Sequence, residues 1–434
     1  MKICVQGLWH LGSVTAACLA ASGHEVIGYD PAEATVAALR EAKAPVFEPG
    51  LRELLQAGIE SERLRFTSKR EDARKAEVLW VAFDTPVDAE DNADTRYVID
   101  QVAATLPHLS DGCVVVISSQ LPVGSIADLE RHAAATLPHL GLFFACAPEN
   151  LRLGKAIDVF RNPDRIIVGV RDARSRAVLT PLLASISARI EWMSVESAEM
   201  TKHAINAFLA SSVVFVNEIA TLCETVGANA KEVERGLKTE SRIGPKAYLA
   251  PGAAFAGGTL ARDVAFLGRI AASSGNRVPL IDSIRSSNEQ HKGWIERKLQ
   301  EALGELGNAR IAIWGLTYKA GTDTLRRSAA MELCHRLIAR HARVVVHDPT
   351  VNAPPAELGD SVIVAPDPIA AVQGADALAV CTEWPEYRNV SADEVVRASP
   401  GIAVVDPNRF LAHFDQHEGI TYSAVGTPSA TRRR

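Results

Sequence analysis

The sequence lacks the features of disulfide-bonded, zinc-binding and membrane-spanning proteins. Its seven cysteines, scattered from Cys4 to Cys381, are an odd number without a C-x-x-C motif. This excludes a disulfide framework and a zinc site, so no metal is expected, and it is typical of the reducing cytoplasm. No apolar run of about 18 residues exists, so no membrane span is predicted. Trp9 and His10 interrupt the apolar N-terminal stretch, and no signal peptide is expected.

A strong charge of one sign is also missing. The 434 residues carry a formal net charge of −6, with 47% hydrophobic and 23% charged residues, as in an ordinary soluble globular protein. This balance gives no sign of nucleic acid as a partner. The closing stretch TRRR belongs to residues 426–434, which we interpret as a solvated basic tail.

What the sequence does contain is a regular alternation of β-rich and helix-length segments. Between residue 2 and about residue 190 the β-rich runs are KICVQ, EVIGYD, VLWVAF, CVVVISS, LFFACAPE and RIIVGV. Continuous Val, Ile and Leu runs separated by helices predict a parallel sheet covered on both faces. We assign this pattern to a first domain, residues 1–195.

The middle of the chain is predicted to be helical. Residues 196–222 contain no Gly or Pro and repeat apolar positions at helical spacing, which predicts one long helix. A Gly- and Pro-rich loop, RIGPKAYLAPGAAFAGGTLARD, follows in a helical neighbourhood, and such loops often carry function. We assign residues 196–300 to this central region.

A second α/β unit, residues 301–425, repeats the design of the first. In the first unit one strand ends in Gly7 and the next in Asp30, and in the second unit the corresponding residues are Gly315 and Asp348. The expected fold class is therefore α/β, with two Rossmann-like doubly wound domains joined by a long central helix.

The first strand–turn–helix, GLWHLG, is a candidate dinucleotide site. Gly7 permits a sharp turn, Gly12 permits close helix packing, and the helix N-terminus presents N–H groups to an anion. Asp30 ends the second strand, where a carboxylate binds a ribose 2′-hydroxyl and repels a 2′-phosphate, which favours NAD over NADP. Trp9 stands where the motif requires glycine, so a Rossmann-like domain that has lost its ligand is the alternative.

Eleven short blocks match one family in order along nearly the whole chain. They are FEPGLRELL (47–55), DTP ending at Pro86, LPVGS (121–125), APENLRLGKA (147–156), NPDRIIVG (162–169), AEMTKHAINAFLA (198–210), RIG (242–244), YLAPG (248–252), GLTYKAGTDTLRRS (315–328), TEWPEY (382–387) and DPNRF (406–410). On these blocks the sequence resembles the UDP-glucose/GDP-mannose dehydrogenase family.

The resemblance implies an N-terminal NAD domain, a central helix used for dimerisation, and a C-terminal domain that holds the nucleotide part of a nucleotide sugar. Members of this family oxidise the sugar C6 alcohol to a carboxylate with two NAD per sugar. They carry the aldehyde on an active-site cysteine as a thiohemiacetal and then a thioester. The expected partners are thus the nucleotide-sugar substrate and a second copy of the chain.

The resemblance also assigns roles to single residues. Lys202 and Asn206 match residues that bind a developing oxyanion, and Glu149 matches a proton acceptor or water-orienting group. The candidate catalytic residues are Lys202, Asn206, Asp263, Glu149, Thr259 and Gln120. The candidate cofactor-binding residues are Gly7, Trp9, His10, Leu11, Gly12, Asp30, Thr85, Arg262 and Arg326. The candidate substrate-binding residues are Asn150, Leu151, Arg152, Arg242, Tyr248, Gly252 and Lys319.

The Gly-rich loop departs from the family at the nucleophile. The family pattern G-[FY]-G-G-S-C-F-P-K-D aligns with AFAGGTLARD (254–263), and anchoring on Asp263 puts Thr259 at the cysteine position. Gln120 replaces the water-positioning threonine. A thiolate is a good nucleophile because the pKa of cysteine is about 8.5, whereas a threonine hydroxyl needs a strong base beside it. The first oxidation remains possible, but the thioester route is lost.

Three functions stay open. The first is an NAD-dependent oxidoreductase acting on a nucleotide sugar, with a UDP-sugar favoured, that transfers one hydride or completes the acid slowly through the aldehyde hydrate. The second is an epimerase that uses transient oxidation. The third is a non-catalytic nucleotide-sugar-binding homologue, which the departures at Trp9 and Thr259 favour.

Overall fold

The computed structural model describes residues 1–86, 93–256 and 258–428. The chain divides into two compact units, residues 1–205 and 206–434, and the division falls within one long helix. The domain boundaries assigned from the sequence stay predictions. Most of the expected basic tail, residues 429–434, lies outside the described residues.

The first unit is built on one sheet. Among its described residues the strands are β1 Lys2–Gln6, β2 Glu25–Tyr29, β3 Leu64–Thr67, β4 Val78–Val81, β5 Val114–Ile117, β6 Phe143–Cys146, β7 Ile166–Val170 and β8 Ile190–Met193, in the order β3-β2-β1-β4-β5-β6-β7-β8. All neighbouring pairs are parallel except β6 and β7, which are antiparallel. This corrects the expectation of an all-parallel sheet, because continuous apolar runs indicate burial on both faces but not strand direction.

Helices cover both faces of this sheet. They are α1 His10–Ala21, α2 Glu33–Arg40, α3 Leu51–Glu60, α4 Thr95–Thr105, α5 Ser125–Thr136, α6 Ala156–Arg161, α7 Ala173–Ala184 and the start of α8, Val195–Val226. Side chains of β1 alternate between two apolar clusters: Ile3 and Val5 belong to one, and Cys4 belongs to the other. The alternation follows from the two-residue period of a strand, and it places the sheet at the centre of the unit.

The second unit combines helices with a second sheet. Its helices are the remainder of α8, then α9 Ala230–Thr239, α10 Thr259–Ser274, α11 Pro279–Lys292, α12 Trp294–Leu303, α13 Ala329–Ala339, α14 Pro368–Val372 and α15 Ala392–Ala398. Its strands are β9 Arg310–Trp314, β10 Arg343–His347, β11 Val362–Val364, β12 Ala377–Val380, β13 Ala403–Val405 and β14 Thr421–Ser423. They pair in parallel in the order β11-β10-β9-β12-β13-β14.

The duplication expected from the sequence is present in detail. The Gly7 N–H donates to the Tyr29 carbonyl at 2.9 Å, and the Gly315 N–H donates to the His347 carbonyl at 2.8 Å. The two glycines have φ angles of 88° and 85°, which favour glycine over any other residue. Each unit therefore repeats the same turn after its first strand.

Asp348 fastens the second of these turns. Its carboxylate accepts the N–H groups of Leu316 and Thr317, the N–H and hydroxyl of Thr350, the Thr317 hydroxyl and the Trp384 indole N–H, all between 2.7 and 3.0 Å. Burial opposes ionisation, but the surrounding N–H donors outweigh it and hold the pKa of Asp348 below its ordinary value. The ionised carboxylate thus organises the turn.

We predict that Asp348→Asn lowers the free energy of unfolding by about 3 kcal/mol at pH 7, because an anionic acceptor of several N–H groups is lost. A lowered folded-state pKa means that this stability is present above the ordinary pKa of 3.8 and is lost as the pH falls through the folded-state value. The difference between the proteins should therefore shrink below that pH. Urea unfolding followed by tryptophan fluorescence measures it, with exposed Asp393→Asn as control. Equal stability at pH 7 would contradict this role.

Candidate active site

The turn between β1 and α1 has the shape of a dinucleotide cradle. A Cβ on Gly12 would lie 1.6 Å from the Gly7 carbonyl oxygen, and one on Gly7 would lie 2.6 Å from Phe83, so both positions require glycine. The first N–H groups of α1 have no acceptor within the helix, which suits an anion. Trp9 precedes α1 and is 52% exposed. Its side chain is thus half exposed to solvent and is not part of the core, and its place relative to a pyrophosphate stays a prediction.

Asp30 ends β2 beside this turn. One carboxylate oxygen accepts the Leu8 N–H at 2.8 Å, and the other accepts the Ala32 N–H at 2.9 Å. Each oxygen keeps further acceptor capacity, and the residue is only half-buried. Asp30 therefore fits a ribose hydroxyl, and the residues present fit NAD.

Three more groups lie on the segments that follow β4 and β5. Asp84, which sequence reasoning missed, follows β4 and accepts the Leu11 N–H at 3.3 Å. The adjacent Thr85 is buried, and its hydroxyl donates to the Gln120 carbonyl at 2.8 Å. Gln120 itself is half-buried. This hydrogen bond thus joins a candidate cofactor-binding residue, Thr85, to a candidate catalytic residue, Gln120.

Lys202 and Glu149 form a cluster at the carboxyl end of β6. The Lys202 ammonium donates to the Glu149 backbone carbonyl at 2.5 Å, and it lies 3.4 Å from the Asn150 side-chain oxygen and 3.8 Å from the Glu149 carboxylate. The Lys202 side chain is largely buried. The predicted catalytic pair is therefore brought together, with the predicted substrate residues Asn150, Leu151 and Arg152 on the same segment. A cavity of about 20 Å³ beside this pair is also lined by Gln120, Cys146 and His203.

Two further α8 residues fix the turn that follows Gln120. Glu199 is buried and accepts the N–H groups of Gly124 and Ile126 at 2.8 and 3.2 Å, and the His203 ring lies 3.0 Å from the Leu121 carbonyl. Burial raises the pKa of Glu199, and these N–H donors oppose that shift. Sequence reasoning missed both residues, although both lie in the AEMTKH block, Glu199 three residues before Lys202 and His203 directly after it.

No thiol of the chain is activated. The described residues include all seven cysteines as free thiols, and burial raises the pKa of every one. Cys146, in the cavity wall near Glu149, has its pKa raised well above the ordinary value by burial and by the neighbouring Glu199 charge. Since the thiolate is the nucleophile, none of the seven thiols is activated for nucleophilic attack.

The second unit carries the nucleophile-loop residues. Asp263 is fully buried on α10 and accepts a hydrogen bond from the Asn206 side chain. Thr259 is exposed as the first residue of α10. Arg262, one turn along, is half-buried. The predicted residues Asn206 and Asp263 are thus bonded to each other.

Buried side chains hold the loop before α10 in place. The Gly252 N–H donates to the Asn217 side chain at 3.0 Å, and its carbonyl lies 2.8 Å from the His291 ring. Asn288 bonds both the N–H and the carbonyl of Phe255, at 3.0 and 2.8 Å. Burial lowers the pKa of His291, so the ring stays neutral at neutral pH. The sequence suggested none of these anchors, because their partners lie at distant positions in the chain.

The remaining predicted contacts are surface residues of the second unit. Arg242 is exposed and paired with Glu240 at 3.0 Å. Tyr248, Lys319 and Arg326 are exposed, the last two on the segment between β9 and α13. Their roles toward a ligand stay proposals.

Comparison with known proteins agrees with this geometry. Family models of the UDP-glucose/GDP-mannose dehydrogenase family match residues 1–187 (NAD binding domain), 196–290 (central domain) and 312–413 (UDP binding domain). The chain belongs to this family. UDP-glucose 6-dehydrogenase of Rhizobium meliloti (strain 1021) is 35% identical, over 99% of this chain and 100% of the relative. The corresponding enzyme of Pseudomonas aeruginosa is 33% identical, over 99% and 98%.

A solved structure gives the same result. The UDP-glucose dehydrogenase of Pyrobaculum islandicum superposes with a TM-score of 0.87 at 30% identity, over 98% of each chain. The family member described here is therefore an NAD-dependent nucleotide-sugar dehydrogenase, an oxidoreductase acting on a CH–OH group, and NAD is its cofactor. The two-Rossmann fold with a long central helix is confirmed.

We predict that Asp30→Asn raises the dissociation constant for NADH by about tenfold to a hundredfold, because an ionised acceptor contributes about 1.5–3 kcal/mol to a hydrogen bond. Fluorescence titration measures this. Asp367→Asn, which removes a carboxylate from the N-cap of α14, is the matched control and should leave the constant unchanged. Equal affinity of Asp30→Asn and wild type would exclude Asp30 from the cofactor site.

Proposed function

We propose that this dehydrogenase oxidises a hydroxyl of a UDP-sugar by one rapid hydride transfer and lacks the thioester route to the acid. The observation that carries the proposal is Thr259 at the family's cysteine position, together with the raised pKa of all seven thiols. A hydroxyl without a strong base is a poor nucleophile. The aldehyde or ketone is then released, or it reaches the acid slowly as its hydrate.

The oxidation needs only groups that the chain retains. Bound NAD supplies the two-electron acceptor. Glu149 accepts the proton of the sugar hydroxyl, and Lys202 stabilises the negative charge that develops on the oxygen. The family resemblance assigns an oxyanion-binding role also to Asn206, whose side chain bonds Asp263. The hydroxyl proton thus goes to Glu149, the C–H bond breaks with its electron pair leaving as hydride, and a carbonyl forms.

The substrate class follows from the family and the charges. The matching model is a UDP binding domain, and the relatives named above are UDP-glucose dehydrogenases. Lys319 and Arg242 are exposed cations, suited to a diphosphate. Asn150, Leu151, Arg152, Tyr248 and Gly252 complete the proposed substrate contacts.

We predict one NADH per sugar in the fast phase with a UDP-sugar, because the second oxidation has no sulfur nucleophile. Absorbance at the NADH band and mass spectrometry of the product, over UDP-, GDP- and CDP-sugars, give the ratio. Thr259→Cys should raise the ratio above one, and Thr259→Ser, which restores no thiol, is the matched control. Two NADH per sugar at a single fast rate in the wild type would overturn the single-oxidation proposal.

We propose a homodimer that pairs through α8. Three apolar side chains of α8 are exposed: Phe208 (70%), Phe215 (48%) and Leu222 (60%). They are seven residues apart, which is about two helical turns, so they form one apolar stripe on the helix. A stripe of this kind packs against its own copy about a two-fold axis.

We predict that Phe215→Glu converts the dimer to monomer, since two like charges would face each other in the seam. Light scattering after size exclusion measures the mass, with exposed Ser283→Glu on α11 as control. A dimeric Phe215→Glu protein would place the interface elsewhere.

We further propose a cytoplasmic protein with no membrane insertion. By length and composition α8 is apolar enough to span a bilayer, a test that core helices of soluble proteins also pass. Its buried polar residues Glu199, Asn206 and Asn217 already have protein partners, which supports the core-helix interpretation. Free thiols throughout support a reducing compartment.

A further inference from the structure

Glu48 is a buried carboxylate in the loop before α3 that the proposed reaction does not use. It is 4% exposed. One oxygen lies 2.9 Å from the His10 ring nitrogen and accepts the Gly154 N–H at 2.7 Å, and the other accepts the Ala156 N–H at 2.8 Å. Burying a carboxylate is costly unless donors surround it, and these three donors compensate for its loss of hydration.

The donors belong to two functional segments. His10 is the first residue of α1, directly after Trp9 in the dinucleotide turn. Gly154 and Ala156 end the substrate segment, which we define as residues 149–156. At its other end Glu149 is bonded by Lys202. One carboxylate therefore joins the cofactor turn to the substrate segment, and all these residues lie in the first unit.

We propose that Glu48 is a positioning residue that couples the dinucleotide turn to the substrate segment. When the cofactor orders the turn, it restrains His10. The His10 ring is bonded to the Glu48 carboxylate, and this carboxylate in turn is bonded to the N–H groups of Gly154 and Ala156. If the cofactor has already ordered the substrate segment, less conformational entropy is lost when the sugar nucleotide binds. By reciprocity, the substrate favours cofactor binding to the same degree. The inference rests on the proposed function, which makes 149–156 the substrate segment.

Hydrogen–deuterium exchange of the whole protein, with and without saturating NADH, tests the coupling without turnover. In the wild type we expect NADH to slow exchange in the turn, residues 7–12, and also about fivefold or more in the substrate segment. In Glu48→Gln the turn should still be protected, but the segment should exchange at nearly its free rate. His10→Phe removes one link and leaves both Glu48–backbone bonds in place, so it should give the same result if Glu48→Gln fails to fold.

The control is Asp172→Asn, which removes a carboxylate from the N-cap of α7 in the same unit and should keep protection of both regions. Protection of the turn without the segment in the wild type would overturn the coupling. Segment protection that persists in His10→Phe would also overturn it, because the cofactor would then act on the segment directly. Absence of protection in the turn would instead contradict the cofactor site itself and, with it, the proposed function.

Discussion

A buried polar side chain must find a hydrogen-bond partner, and this constraint organises the protein around helix α8. In the first unit Glu199 bonds the turn after Gln120, and Lys202 bonds the Glu149 carbonyl. In the second unit Asn206 bonds Asp263, and Asn217 bonds the Gly252 N–H. Three of these partners lie on loops or turns beside candidate functional residues, and the fourth, Asp263, is itself a candidate catalytic residue on α10. The same hydrogen bonds that allow an apolar helix to bury polar groups thus fix the segments that carry these candidates.

The proposed reaction without a sulfur nucleophile agrees with the surroundings of the thiols and of the candidate catalytic side chains. Five of the seven cysteines lie in strands or helices, and Cys113 and Cys381 directly adjoin β5 and β12. Burial raises the pKa of their thiols. In the proposed reaction the groups needed for a first oxidation are charged or amide side chains with defined partners, as in the Lys202–Glu149 cluster and the Asn206–Asp263 pair. None of these groups depends on a thiol, so the proposed first oxidation does not require one.

Local patterns in the sequence predict the elements that depend on local physics. The Gly7 and Gly315 turns, the long helix and most strands follow from glycine placement and apolar periodicity. Strands β3 and β8 escaped prediction because they are short and partly polar, LRFT and IEWM. Glu48 and Glu199 escaped because a carboxylate in sequence looks solvated, and only the fold brings distant N–H groups to it. Family blocks located Lys202, Asn206 and Asp263, which composition alone does not distinguish from other polar residues.

The turns at Gly7 and Gly315 differ in one respect that bears on how many dinucleotides each chain binds. Asp30 binds two backbone N–H groups and retains acceptor capacity, whereas Asp348 is surrounded by six donors from its own unit. The acidic residue of the second turn is therefore occupied by donors of its own unit and is a poorer acceptor for a ribose than Asp30. This difference favours a binding stoichiometry of one dinucleotide per chain, although the chain carries the same structural signature twice.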